Sequence, residues 1–305
     1  MKIRDDMFKV AYHSTYPHSL PDGHRFPMTK YSLLHAQLMW EGIVDTDEWI
    51  HPSEISLPAL LRCHSPDYIS RLESGHLSKN EQRKSGFPWS AGLIAREKTI
   101  MEGTRLCGRV AAKGGVALNI AGGTHHAHAA HAEGFCLLND LVISAYDLLD
   151  AGFERVLIVD LDVHQGNGTA SMLADEPRIF TFSMHGAANY PMHKAVGDWD
   201  IALPDGTRDA DYLFELERAL SEILQDFRPQ VALYQCGVDV LESDKLGRLA
   251  LSMKGCQARD HIVLEMLHAC GIGVACTMGG GYSERIATIV EAHMQTFRVA
   301  RDLWT

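Results

Sequence analysis

Five short runs of the chain are almost wholly apolar, and that uniformity limits the fold more than any other feature. They are Val116-Ala117-Leu118-Asn119-Ile120, Val156-Leu157-Ile158-Val159, Ile179-Phe180-Thr181-Phe182, Val231-Ala232-Leu233-Tyr234 and Gly273-Val274-Ala275-Cys276-Thr277. Each is too short for a buried helix, and most are rich in β-branched or aromatic residues. A strand with one wet face would alternate apolar and polar residues; strands of a parallel sheet covered on both faces do not. Helical patterns fill the gaps. Asn139 to Asp150 opens on capping chemistry and stops at Gly152. Asp209 to Phe227 carries Leu213, Leu216, Leu220 and Leu224 at spacings of three and four and stops before Pro229. Lys254 to Cys270 ends at Gly271, and a last helix runs from Ser283 to the C-terminus. The alternation begins near residue 90 and predicts an α/β fold with a mostly parallel sheet.

The first ninety residues are less regular. Phe8 to Tyr12 reads as a strand, Tyr31 to Glu41 as a helix, and Pro17, Pro21, Gly23 and Pro27 as a loop between them. No repeat, low-complexity tract or linker interrupts the chain, so residues 1–305 are read as a single domain. The balance of 28 basic against 39 acidic residues gives a net charge of −11, which argues against direct nucleic-acid binding. Seven cysteines, Cys63, Cys107, Cys136, Cys236, Cys256, Cys270 and Cys276, contain no Cys-x-x-Cys pair. That pattern fits neither a disulfide framework nor a thiolate metal site, and points to a reducing compartment, the cytoplasm. Met1 to Asp6 is charged and leads into no long apolar stretch, so neither a signal peptide nor a membrane span is expected.

The unusual residues all follow the apolar runs. After the first comes Gly122-Gly123-Thr124-His125-His126; after the second, Asp160-Leu161-Asp162-Val163-His164-Gln165-Gly166-Asn167-Gly168; after the third, Ser183-Met184-His185. Cys236-Gly237-Val238-Asp239 follows the fourth and Gly279-Gly280-Gly281-Tyr282 the fifth. The carboxyl ends of parallel strands share one edge, and that edge holds the site. Asp162 and His164, alternate residues on an extended segment, would face one cation, with Asp239 as a third ligand. Read alone, Asp-x-Asp-x-His is equally a solvated turn. The other strand ends decide against that. Adjacent side chains on an extended chain diverge, so His125 and His126 are expected as acid–base groups rather than joint ligands. A single His there would read as structural; a tandem pair after Gly-Gly, with Asp160 available, favours catalysis. His128 and His131 are taken as loop residues, although a His-rich tract also binds metal adventitiously. The triple glycine lets the backbone approach a ligand, and the Tyr282 phenol can donate to an oxyanion. Gly279 to Gly281 form no dinucleotide fingerprint, and no Walker lysine follows.

The strings Gly122–His126, Gly134-Phe135-Cys136-Leu137-Leu138-Asn139-Asp140, Asp160–Gly168 and Gly279–Tyr282 resemble the histone deacetylase family in order and separation, over residues 8 to 300. Gly237 to Gly247 is most similar to the class IV branch and its bacterial relatives. The resemblance implies the arginase/deacetylase fold, an eight-stranded parallel sheet between helical layers. It implies Asp162, His164 and Asp239 as ligands of Zn2+ (or Fe2+ or Co2+), His125 and His126 as the catalytic pair, and Tyr282 as the transition-state tyrosine. Asp160 matches the acid paired with the first His. Asn167 stands where class I members carry a second Asp, which leaves His126 a neutral partner. Gly134 and Phe135, with Gly280, match the substrate tunnel, and Asp244 an outer acid. Asp160, Asp162, His164, Ser183 and Met184 match a site for K+ or Na+. The activity implied is hydrolysis of an acyl-lysine or a related acylated amine, with His126 as base and His125 as polariser or proton donor. An acetylpolyamine-type amidohydrolase shares that chemistry. An arginase-type hydrolase needs more bridging acids than the chain offers, and an inactive acyl-lysine reader needs neither the ligand set nor Tyr282. Oligomeric state is left open.

Overall fold

The computed structural model describes residues 7–305; the charged segment Met1 to Asp6 lies outside the described residues. Among the described residues eight strands build one sheet: β1 (Phe8–Ala11), β2 (Trp49–Ile50), β3 (Val116–Asn119), β4 (Val156–Asp160), β5 (Ile179–Gly186), β6 (Trp199–Leu203), β7 (Val231–Gln235) and β8 (Gly273–Thr277). Their order is β2-β1-β3-β8-β7-β4-β5-β6, and every neighbouring pair is parallel.

All five apolar runs are strands, and β3, β4, β7 and β8 are buried at every residue. Their side chains alternate between two cores. Val156, Ile158, Val231, Leu233 and Ala275 enter one; Leu157, Val159, Ala232, Tyr234 and Cys276 enter the other. The two edge strands are absent from the sequence reading for a physical reason. β2 has two residues, and β6 alternates half-buried and exposed positions because one side of an edge stays wet.

The described residues form ten α-helices: α1 (Lys30–Glu41), α2 (Leu57–Leu60), α3 (Pro66–Ser74), α4 (Lys79–Ser85), α5 (Ala91–Ala111), α6 (Asp140–Asp150), α7 (Asn167–Leu173), α8 (Asp209–Asp226), α9 (Met253–Ala269) and α10 (Ile286–Trp304). α6, α7 and the C-terminal half of α5 pack over one face; α8, α9, α10 and α1 line the other. Asn139 caps α6 by accepting from the Val142 amide at 3.1 Å, as its place before the helix predicts. The last helix starts at Ile286 rather than Ser283, because residues 279–285 first cross the site as irregular chain. α2, α3, α4, α5 and α7 are missing from the sequence reading. α5 is buried around much of its circumference, including Arg96, Glu97 and Thr104, so no apolar stripe marks it. α7 begins inside the Gly166-Asn167-Gly168 string, which reads locally as a loop.

Candidate active site

β3 delivers Gly122-Gly123-Thr124, and Asp140 at the start of α6 clamps that turn. Its carboxylate accepts from the Gly123 and Thr124 amides at 2.9 and 2.8 Å and from the Thr124 hydroxyl at 2.8 Å. The chain is therefore turned, not extended, at His125 and His126. The expectation that their side chains diverge is corrected: the rings lie side by side, centroids 4.2 Å apart. Each has its expected partner. His125 Nδ1 is 2.7 Å from Asp160 Oδ2, and His126 Nδ1 is 2.7 Å from Asn167 Oδ1.

β4 ends at Asp160, and residues 162–164 bend. Asp162 and His164 thus converge through that bend and not through strand alternation, a second correction to the geometric reading. His164 Nδ1 lies 3.0 Å from Asp162 Oδ1 and 3.2 Å from Asp239 Oδ2. One ligand atom from each of Asp162, His164 and Asp239 falls within 4.8 Å of the others. The arrangement fits a metal ion. Asp239 Oδ2 is buried and accepts no hydrogen bond. Gly280 closes over the carboxylates so tightly that a Cβ there would stand 2.0 Å from Asp239 Oδ2. Two oxygens and one imidazole suit a borderline divalent cation and leave positions open.

The electrostatics follow from burial and the surplus of negative charge. Burial and Asp162 push the Asp239 carboxyl up to about 7. Burial opposes a charge on His164, but Asp162 and Asp239 outweigh it and raise the imidazole to about 10. That proton occupies the place of the positive charge the three ligands call for. Burial also works against a charged His125, yet Asp160 and Asp162 lift it to about 9. His126 goes the other way: burial, then the neighbouring His125 and His164, lower it well below the ordinary imidazole value.

Tyr282 stands at the end of the glycine loop, its amide donating to Asp244 Oδ2 at 2.6 Å. Asp244 Oδ1 also accepts from the Leu246 and Gly247 amides, so this acid fixes the loop that presents the phenol. Burial raises the phenol well above its usual value and keeps it a donor. Both histidines, Asp162, His164 and Tyr282 face one pocket of about 440 Å³. Gly134, Phe135 and Gly280 line it too. A Cβ on Gly134 would meet His126 Cδ2 at 2.7 Å, so only glycine fits there. Phe135 adopts φ 66°, an unusual conformation for a residue with a side chain, and its ring lies 5.5 Å from Phe26 and 6.1 Å from Tyr282. Ser183 pairs with Asp160 across β4 and β5, and Met184 follows, both buried.

Several residues here carry no sequence signal. Lys30 is buried, donates to the Gly279 carbonyl at 2.6 Å, and is lowered to about 8 by burial. Arg259, fully buried, donates to the carbonyls of Leu161, Cys236 and Gly237 behind the ligand loops. Phe26 lies in the Pro/Gly-rich segment that reads only as loop. The partners of these residues are remote in sequence, so no local pattern marks them. Glu133 is likewise unmarked, and it joins His128 and His131 at the surface.

A family model described as the histone deacetylase domain matches residues 24–297. The chain belongs to the histone deacetylase family. It is 42% identical to an uncharacterized protein of Picosynechococcus over 97% of this chain and 99% of the relative. It is 28% identical to histone deacetylase 2 of Arabidopsis thaliana, covering 92% of this chain and 76% of that protein. A crystal structure of a histone deacetylase homolog complexed with SAHA superimposes with a TM-score of 0.86 at 28% identity, over 97% of this chain and 84% of that one. A homolog from Aquifex aeolicus gives 0.84 at 26% identity, with the same coverage. The arginase/deacetylase fold expected from the motifs is the fold observed, and the family is one of hydrolases.

Proposed function

We propose that this histone deacetylase-family hydrolase is a metal-dependent deacylase that cleaves the amide of an acylated lysine. We read residues 1–305 as one catalytic domain. The observation that carries the reading is the shared pocket: Asp162 and His164, which cluster with the buried Asp239, face the same space as two histidines with unlike partners and a phenol. Asp162, His164 and Asp239 would hold the metal, with zinc the first candidate and iron(II) or cobalt alternatives. The ion would supply Lewis acidity to the amide carbonyl and acidify a water. His126, kept neutral by burial and by the neighbouring His125 and His164, takes the proton from that water. His125, held as a cation by Asp160, returns a proton to the departing amine. Tyr282 donates its hydroxyl to the oxygen that gains charge as the carbonyl is attacked. Asp160, Asp162, His164, Ser183 and Met184 would hold K+ or Na+; Asp160 and Ser183 are neighbours across β4 and β5.

Substrate choice rests on the mouth. Arg25, Arg83, Lys84 and Arg248 line it and are exposed; the carboxylates lining the pocket, Glu97 and Asp162, are buried. In a chain of net charge −11 this rim is a local cationic field. It repels a polyamine and attracts an acyl-lysine flanked by acidic residues. All seven cysteines are free, in keeping with a cytoplasmic protein. Turnover of acetyl-lysine peptides with acidic or basic flanks, measured beside acetylated spermidine across a panel of acyl lengths, tests both points. Acidic peptides should be the best substrates. Turnover confined to the polyamine would overturn the peptide reading, and no turnover of any acyl-amine would overturn the hydrolase reading.

A further inference from the structure

Outside the pocket floor, the described residues bring one other set of metal-ligating side chains together. The His128 amide donates to the His131 carbonyl at 3.0 Å, closing a turn over Ala129 and Ala130. That closure stacks the two imidazoles, with centroids 4.4 Å apart and planes 14° from parallel. Glu133 pairs its backbone with Cys136, which leaves its side chain directed back at the turn, 3.5 Å from His131 Nε2. One ligand atom from each of His128, His131 and Glu133 lies within 4.8 Å of the others, and all three residues are partly exposed. Tetrahedral ligands at ordinary zinc distances stand about 3.3 Å apart, so side-chain rotation alone closes this set on an ion. Two imidazoles and a carboxylate suit zinc, cobalt or nickel rather than magnesium or calcium.

The cluster also touches the catalytic pair. The Asn167 side-chain amide donates to Glu133 Oε1 at 3.2 Å and approaches His128 Nε2 at 3.3 Å. The same side chain offers its oxygen to His126 Nδ1 at 2.7 Å. Tyr190, whose ring centroid is 5.1 Å from that of His126, donates its hydroxyl to Glu133. Glu133 and His128 therefore hold the Asn167 amide in the orientation that serves His126.

We propose that His128, His131 and Glu133 form a second divalent-metal site, and that an ion bound there slows turnover by taking the acceptors that orient Asn167. The ion occupies the His128 Nε2 lone pair that faces the Asn167 amide and draws Glu133, through the Oε2 that faces His131, away from its Oε1 contact with that amide. That side chain is then free to turn, and its oxygen no longer faces His126.

The test uses the full-length, untagged chain carrying one equivalent of zinc. Cobalt(II) is added under equilibrium dialysis, with total metal per chain, visible absorption and turnover of an acetyl-lysine peptide followed together. A second equivalent is expected, with turnover falling several-fold as it binds. His131→Ala should keep the first equivalent and the activity at low cobalt, but bind the second at least tenfold more weakly. Retention of the first equivalent shows that the variant is folded. The site is overturned if the chain takes up no second equivalent, or if His131→Ala takes it up unchanged. Full occupancy with undiminished turnover overturns the coupling to Asn167. The uptake measurements hold whatever substrate the enzyme acts on, so their failure is distinct from failure of the deacylase reading.

Discussion

Asp162, at the base of the pocket, and its neighbours Asp160 and Asp239 are at most 3% exposed, whereas at its mouth Arg25, Arg83, Lys84 and Arg248 stand in solvent. The buried acids are held by backbone amides: Asp239 Oδ1 accepts from Val163 at 3.0 Å, and Asp162 Oδ2 from Gly280 at 2.9 Å. The mouth is held loosely. Arg248 pairs with Asp205, Arg83 donates to Asn80, and Arg25 lies over the Phe135 ring. Charges in a dry, fixed setting act strongly and at one place; charges in water act weakly, over a distance, and are screened by salt. On the proposed function chemistry belongs to the base and discrimination to the mouth, and the size of a mutational effect should follow that division.

The largest effect should come from the ligand set. Strong chelation, or Asp239→Asn, should bring turnover to background, and zinc should restore the chelated wild type but not the variant. Full activity in protein shown to contain no transition metal would break the comparison at its base. Next is Tyr282→Phe, which removes one oxyanion donor and should lower kcat by roughly a hundredfold or more, with KM changed much less. A variant with near-normal kcat would mean the phenol does not meet the reacting carbonyl.

The histidine pair sharpens the comparison within the base itself. His126→Ala should remove nearly all activity, and His125→Ala should leave more behind. Asn167→Asp would set an anion against His126 and raise its proton affinity. A base must be unprotonated, so the acidic limb of the kcat/KM profile should move to higher pH in Asn167→Asp. A limb that stays put or moves down refutes either the pairing as a functional one or the role of His126.

The smallest effect belongs to the mouth. Lys84→Glu should raise KM for an acidic peptide by roughly two- to fivefold, the scale of one exposed charge, with kcat little changed. The difference should vanish in high salt. A salt-independent loss of kcat would place Lys84 in the chemistry and erase the distinction between mouth and base.

What the sequence determined by itself was the central sheet and the contents of its active edge. Val156 to Val159 and Val231 to Tyr234 are apolar at every position because both faces of their strands are covered, and that burial is a property of composition that can be read locally. Each strand end then exposes its reactive residues in chain order, so Asp162, His164, Asp239 and Tyr282 are legible before any contact is known. The tertiary structure decided the rest. Edge strand Trp199–Leu203 and helix Ala91–Ala111 take their form from neighbours rather than from a periodic pattern. The turn at His125 and His126 depends on Asp140, and the Asn167 orientation on Glu133, which is 34 residues away. Lys30 meets Gly279 across 249 residues. A hydrogen bond depends on distance and angle in space, whereas periodicity records only which way a side chain points along its own element. The partners that set proton affinity and orientation in this site are therefore fixed by the fold.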